Sequence, residues 1–577
     1  MKAENISIKI GGEAGQGIKI SGFMLSKVFA KKGYFVTDSN EYPSLIQGGH
    51  NTYTINVSTS HVHSISKNLN VLTALDKKTI DQHREEVSYG GFVLYDDQDC
   101  TPEQAKEHRK DLNYIAVPLA RIIKEIKAPL LMRNSVALGA ILALIDVPFD
   151  MLGTVIKETF FKKGDEAVNF NTRAADMGYK YIKEKLNSSV PYSLEIVKQK
   201  NKMLVTGNDA VFAGAVRSGC KFFASYPRTP ASSILHSFAS VGNDYNIVTK
   251  QAESELAVIN MAIGASFAGA RAMLATSSSG FSLMNEGLSA AAMTETPLVM
   301  AVSQKPGPAS GMPTCTEQGD MLFAVNASHG EFLRVVVAPG DPRECFYLTG
   351  KAFNLADKYQ IPVIILLDKY LSENHHAYDK FDVSMIKVNR GRLVSKAYDV
   401  KKDYKRYKKN EDGISHRVIS GLKGGEHIAN TDEHDEYGFS CDNANNRKEM
   451  MDKRFNKVKA LVRDITPPKI YGPPEAEVTC WSWGSSKGPI MEAMKTLNRE
   501  QKKVNLVHFN YLYPFLIDPV MKIIKKSNKN VIVENNKTCQ LGKLMMMNTG
   551  LKFTSRILKY SGRQFLPEEI VSGIEQL

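Results

Sequence analysis

From about residue 203 to residue 367, short apolar runs alternate with helical patterns, and the turns between them are rich in glycine, proline and serine. Strand-like pieces fall at 222–225, 246–249, 271–276, 298–302, 335–338 and 362–367. Helical patterns at 208–219, 231–239, 253–270 and 281–293 lie between them. Parallel neighbours need crossover connections, and helices supply them, so this order predicts a parallel, doubly wound α/β sheet. Sheets of this kind bind ligands beyond the carboxyl ends of their strands. Three turns become candidates on position alone: 226–230 (Tyr-Pro-Arg-Thr-Pro), 276–280 (Thr-Ser-Ser-Ser-Gly) and 304–310.

The rest of the chain follows the same grammar. An alternating strand at 6–10 runs into Gly11-Gly-Glu-Ala-Gly15-Gln-Gly17, and a helical pattern continues over 18–31. Further strand-like pieces at 34–37, 52–57, 71–74 and 91–95, with helices at 134–144 and 167–186, make 1–186 one α/β domain. The polar stretch 187–201 reads as a linker, and 202–380 as the second domain. Residues 381–465 lose hydrophobic periodicity, and their polar stretch 424–438 is the kind of long loop that crosses a subunit or binds something. A helix at about 447–465 leads into a last α/β domain, 466–577, with strands at 477–481, 504–509 and 530–534. The expected class is therefore multidomain α/β with doubly wound sheets.

Composition excludes several classes. Hydrophobic residues make up 43% and charged residues 23%, ordinary for a globular protein. No apolar run approaches the roughly 20 residues that span a bilayer. The sequence enters a strand-like segment at once, with no signal-type apolar stretch, and a cytoplasmic location is expected. Seven cysteines are widely spaced with no Cys-x-x-Cys pair, so no metal or iron–sulfur site is expected on this chain. The net charge of +13 includes a basic, tyrosine-laced patch at 401–409. That patch reads as a solvated surface or a face for an acidic protein, and not as a nucleic-acid module.

Glu253 heads the apolar, small-residue pattern that runs to about residue 270. Burial favours the protonated form of a carboxyl, and thiamine diphosphate chemistry needs a carboxyl that shares a proton with a ring nitrogen of the aminopyrimidine. The competing reading is a solvated glutamate in a first helical turn, favoured by the macrodipole. Two prolines in Tyr226-Pro227-Arg228-Thr229-Pro230 stiffen the turn that would present Thr229, or simply make a structural turn. The glycines of Gly11 to Gly17 stand at a helix start, where backbone N–H groups bind phosphate, yet the spacing is not that of a dinucleotide fingerprint.

Several motifs taken together resemble the α subunit of 2-oxoacid:ferredoxin oxidoreductases. They are Tyr226-Pro-Arg-Thr-Pro-Ala-Ser, Gln251-Ala-Glu, the stretch 265–276, Gly307-Pro-Ala-Ser-Gly-Met-Pro-Thr and Asp368-Lys-Tyr-Leu-Ser-Glu. Gly11 to Gly17, with Glu41-Tyr-Pro-Ser and Gly48-Gly-His-Asn, resembles the family's γ domain fused in front. Gly484-Ser-Ser-Lys-Gly, Glu534-Asn-Asn and Gln540-Leu-Gly-Lys resemble its C-terminal domain. The resemblance implies a Rossmann-like γ domain, a thiamine-binding pyrimidine-type domain and a transketolase C-terminal-like domain. It also implies a reaction: 2-oxoacid, CoA and oxidised ferredoxin give acyl-CoA, carbon dioxide and reduced ferredoxin. Glu253 would activate the aminopyrimidine, with Tyr226, Pro227, Ser277 and Gly280 around the cofactor. Arg228, Thr229 and Lys305 would meet the substrate. Gly15, Gln16, Gly17, Arg133 and Asn134 would meet CoA. The Mg²⁺–diphosphate motif and [4Fe-4S] cluster are expected on a β subunit, so this chain should be inactive alone, in an (αβ)₂ assembly served by ferredoxin.

Four positions depart from the family pattern. Arg228 stands where an aliphatic residue is usual, and Lys305 where an arginine commonly holds the substrate carboxylate. Ser278-Ser279 replaces a common Gly-Pro, and Gln47 a common arginine. A lysine offers a point charge, and an arginine a bidentate fork. Arg228 is therefore expected to supply the missing fork or to meet a distal carboxylate, which favours 2-oxoglutarate or a broad range of oxoacids. The alternatives are another thiamine enzyme of transketolase type, and a dinucleotide-binding module in which Glu253 is structural.

Overall fold

A computed structural model describes residues 2–45, 48–101, 109–187, 192–195, 197, 201–395 and 403–577. Gln47 and part of the 187–201 linker lie outside the described residues. Among the described residues no helix is long and apolar enough to cross a membrane.

The chain divides into two compact units. The first comprises Met1–Val205 with Asn374–Phe381 and Leu566–Ser572, and the second Thr206–Glu373 with Asp382–Phe565 and Gly573–Leu577. The first holds an eight-stranded sheet in the order Asn113–Val117, Val87–Asp96, Leu69–Ala74, Asn5–Glu13, His50–Ser58, Phe35–Glu41, His376–Tyr378, Met203–Val205. Four strands at one side are parallel, but His50–Ser58 and the strands beyond it pair antiparallel. This sheet is mixed, where uniform parallel winding was expected. Met203–Val205, expected to open the second domain, pairs with His376–Tyr378 at this sheet's edge. Asp38 anchors the returning segment, because its buried carboxylate accepts from the His375 backbone at 2.6 Å and from the Tyr53 hydroxyl at 2.6 Å.

The second unit is built on a seven-stranded sheet. Its order is Val248–Gln251, Phe222–Ser225, Ala272–Ser277, Leu298–Gln304, Pro362–Asp368, Val335–Val337, Tyr511–Tyr513. All pairings are parallel except the last. The central strands read as continuous apolar runs because helices cover both faces. A five-stranded sheet, in which Val478–Trp483 is flanked by Val504–Phe509 and Lys529–Glu534, completes the unit.

The C-terminal motifs meet the thiamine-type region in a buried polar seam. Asp368 accepts from Ser485 at 2.5 Å and from the Leu371 backbone at 3.0 Å. Gln318 donates to the Trp483 carbonyl at 3.1 Å and accepts from Ser486 at 2.8 Å. Glu534 accepts from the Trp483 indole and the Leu541 backbone, both at 2.9 Å. Burial pushes the Asp368 and Glu534 carboxyls above their usual range. These motif residues hold two sheets together.

Of the connecting segment expected over 381–465, the described residues 382–395 and 403–465 belong to the second unit and are pinned by buried charge. Glu295 is wholly buried, with Lys453 Nζ at 2.5 Å on one oxygen and Lys457 on the other. Arg406 donates to the Glu295 carbonyl at 2.8 Å. Asp357 takes Arg271 and Arg390 at 2.7 Å and Arg417 at 2.9 Å. Polar sequence with no hydrophobic period can still be interior when its charges are paired.

Candidate active site at the carboxyl rim

The parallel register brings Ser225, Ser277 and Gln304 to one rim of the seven-stranded sheet. The turns that follow them, and the helix Glu255–Phe267 after the edge strand, converge there. This is the arrangement expected from strand order.

Two acidic residues stand at this helix start, one exposed and one enclosed by the chain itself. Ser254 is the helix N-cap, extended in backbone and accepting from the Ala257 N–H at 3.3 Å. Glu253 therefore lies before the helix and is exposed. Glu255 lies in the first turn at 2% exposure, heading the buried stripe of Val258, Ile259, Ala262 and Ser266. Glu253, in the motif Gln251-Ala-Glu, is thus exposed on this chain, and Glu255 is the carboxylate enclosed by it; a Ser followed by helix-period apolar residues marks the cap that separates the two.

Glu255 is walled on one side by Gly280, where a Cβ would come within 2.6 Å of Oε1 and 2.1 Å of Thr276 Oγ1. Only the absence of a side chain lets this helix start approach the carboxylate so closely. Oε1 accepts from Arg228 Nε at 2.6 Å, and Arg228 Nη1 donates to Ser279 Oγ at 3.1 Å. Oε2 accepts no hydrogen bond from the described residues. Arg228 thus faces its own chain's carboxylate, where a free substrate fork was expected.

The hydroxyls of Thr276 and Ser277 are buried with no partner among the described residues. Buried polar groups in folded proteins are nearly always paired, so two orphans on one rim mark a place for an absent partner. Thr229 and Pro227 are exposed, while Tyr226 is half-buried with its ring 5.8 Å from the Arg228 guanidinium. Lys305 is buried, its backbone N–H bonded to Ser278 at 3.2 Å. Its ammonium has no acceptor among the described residues, and burial and then the charge of Arg228 hold it below the usual lysine range. Asp320, unremarked in the sequence, has its carboxyl pushed up by burial, with the Ser278 hydroxyl opposing.

The glycine turn of the first unit has its own geometry. Gly15 and Gly17 have φ of 99° and 76°, and Gly17 precedes the helix Ile18–Lys32. A Cβ on Gly17 would meet the Asn134 amide at 2.3 Å, and that amide donates to the Gln16 carbonyl at 3.4 Å. Arg133 pairs with Asp96 and Asp99 at 3.5 and 3.3 Å. The structure joins Gly17, Gln16 and Asn134, and commits Arg133 to acidic neighbours.

Comparison with known proteins agrees with this geometry. Residues 213–453 match the family "Pyruvate flavodoxin/ferredoxin oxidoreductase, thiamine diP-bdg", and residues 7–181 match "Pyruvate ferredoxin/flavodoxin oxidoreductase". The 2-oxoacid:ferredoxin oxidoreductase subunit alpha of Saccharolobus solfataricus is 32% identical over 625 residues, covering 99% of this chain and 97% of that one. The 2-oxoglutarate oxidoreductase subunit KorA of Mycobacterium tuberculosis is 26% identical, covering 99% and 91%. The structure of 2-oxoglutarate:ferredoxin oxidoreductase from Magnetococcus marinus, with 2-oxoglutarate, coenzyme A and succinyl-CoA bound, superposes with a TM-score of 0.92 at 30% identity over 100% of both chains. The rim suits the pyrimidine half of thiamine diphosphate: an acidic helix start, a glycine wall and two unpartnered hydroxyls. The chain belongs to the α subunits of the 2-oxoacid:ferredoxin oxidoreductases, enzymes that work with a β subunit.

Proposed function

We propose that this chain supplies the pyrimidine side of a thiamine diphosphate site for CoA-dependent oxidation of 2-oxoglutarate, or of a range of 2-oxoacids that includes it. The observation that carries the reading is the acidic helix start at the rim, with Glu253 exposed and Glu255 buried with Oε2 open. Bound thiamine diphosphate would supply a carbon nucleophile and an electron sink for decarboxylation. Glu253, in the motif Gln251-Ala-Glu, is the proposed carboxyl that holds a proton at the ring nitrogen of the pyrimidine. Thr276 and Ser277 offer hydroxyls at the strand end, and the apolar flank of the helix Glu255–Phe267 excludes water. Lys305, buried and unpaired, offers its ammonium to the substrate carboxylate, with Thr229 beside the entry.

Gly15, Gln16 and Gly17, backed by Asn134, are the proposed CoA contact, through backbone N–H groups at a helix start. Arg133 would serve that contact only by leaving its carboxylate partners. The β partner would carry Mg²⁺–diphosphate binding and the [4Fe-4S] cluster, with ferredoxin as acceptor, an (αβ)₂ assembly and a cytoplasmic location. Reconstitution with the β subunit tests the whole reading. Dye or ferredoxin reduction across a panel of 2-oxoacids should require CoA and be fastest with 2-oxoglutarate. A complex that reduces no acceptor with any 2-oxoacid contradicts it.

A further inference from the structure

Arg228 stands between Pro227 and Thr229 in the turn after the strand Phe222–Ser225, and three neighbours fix its side chain. Nε donates to Glu255 Oε1 at 2.6 Å, Nη1 donates to Ser279 Oγ at 3.1 Å, and the Tyr226 ring lies 5.8 Å from the guanidinium carbon. Nη2 has no acceptor among the described residues. The Arg228 side chain is 32% exposed and the Glu255 side chain 3%. The anion is therefore enclosed as an anchor, and the cation keeps an open end.

A second cation shares this rim. Lys305 follows the strand Leu298–Gln304, its ammonium has no acceptor among the described residues, and it lies within reach of the positive charge of Arg228. Two like charges at one strand end cost free energy, and a ligand with two anionic ends relieves it. We propose that Arg228 is a specificity-determining residue that takes the distal carboxylate of a five-carbon dicarboxylic 2-oxoacid, with Glu255 and Ser279 as the positioning residues that hold Nη2 open for it. This rests on the reading of the rim as the 2-oxoacid site, with Lys305 on the carboxylate next to the keto group. A guanidinium carries five N–H donors in a fixed plane, so it can serve one carboxylate on Nε and a second at its Nη end. The clamp also fixes the side chain before substrate arrives, so little of its freedom remains to be lost on binding.

The test uses the reconstituted αβ complex loaded with thiamine diphosphate, with CoA and electron acceptor in excess. Wild type, Arg228→Met, Arg228→Lys and Ser279→Ala are compared in kcat and KM on 2-oxoglutarate and on 2-oxopentanoate, which has a methyl group in place of the distal carboxylate. Wild type should prefer 2-oxoglutarate. In Arg228→Met the ratio of the two kcat/KM values should fall roughly 10- to 100-fold, the worth of a hydrogen bond between charged groups. The fall should lie in KM for 2-oxoglutarate, because the contact is the same in ground and transition states. Arg228→Lys should keep only part of the preference, since a point charge cannot hold Glu255 and the ligand in one plane. Ser279→Ala, which changes no charge and little volume, should lower the ratio in the same sense by a smaller factor.

Equal losses on the two substrates would make Arg228 a purely structural tie between the turns and overturn the proposal. An unchanged ratio in Arg228→Met, or a wild type with no preference for 2-oxoglutarate over 2-oxopentanoate, would overturn it as well. Should Arg228→Met not assemble, Arg228→Lys and Ser279→Ala decide the matter by the same ratio. A wild-type complex that turns over no 2-oxoacid at all would remove the reading of the site together with the proposal, whereas failure of the ratio alone leaves that reading standing.

Discussion

Glu255 and Glu295 are both buried in the second unit, and the molecule treats them in opposite ways. Glu295 is saturated: Lys453 on one oxygen, Lys457 on the other, and Arg406 on its carbonyl. Its carboxyl is held far below the usual range by those three cations, which outweigh burial. Glu255 is half-satisfied, with Arg228 on Oε1 and nothing among the described residues on Oε2. A saturated buried carboxylate has no capacity left for a ligand and acts as a brace. A half-satisfied one beside unpartnered hydroxyls bears an energetic penalty that a bound partner removes. Burial alone does not distinguish a brace from a site; the count of unfilled hydrogen-bonding positions does.

Substitution by the amide sharpens the contrast between site and brace. Glu253→Gln, at the helix start beside Glu255, should reduce kcat of the reconstituted complex by about 10²–10⁴-fold with little effect on folding, the range for losing a positioned proton-transfer group. Glu295→Gln should leave two buried ammoniums undercompensated and cost about 3–5 kcal/mol of stability. That loss should appear as a lowered unfolding midpoint of the second unit, with normal turnover where the protein remains folded. Because the folded Glu295 holds its proton more weakly than the unfolded residue, its stabilisation is present above the unfolded carboxyl range and is lost as pH falls below it. Wild type should therefore lose thermal stability on acidification, and Glu295→Gln should lose less.

Lys305 gives the next effect in size. Lys305→Ala should raise the oxoacid KM roughly 10- to 100-fold, the worth of a hydrogen bond to a charged group. Since burial and Arg228 lower its proton affinity, the wild-type KM should begin to rise with pH earlier than an ordinary lysine would allow. Lys305→Arg should move that rise upward.

The frame of the second unit was legible because its strands are apolar runs bounded by turns. Phe222–Ser225 and Val504–Phe509 fall where periodicity places them. Tyr511–Tyr513 was not read: three residues carry no period, and their pairing with Val336 and Val337 is set by distant chain. Burial within 381–465 was not read because hydropathy counts Arg406 as a surface residue, and likewise Lys453 and Lys457 in the helix expected at about 447–465. Their partner is Glu295, 158 residues from Lys453 in the chain. At the site, the turns and Gly280 were read from strand order and resemblance. The cap at Ser254 was passed over, so the exposed Glu253 and the buried Glu255 were not told apart. The engagement of Arg228 with Glu255 depends on two elements meeting in space, and nothing in either segment alone announces it.

The most direct measurement is turnover of the reconstituted two-subunit complex with Glu253→Gln, at matched thiamine loading. Loss of activity is the expected result. Retained activity would contradict the account.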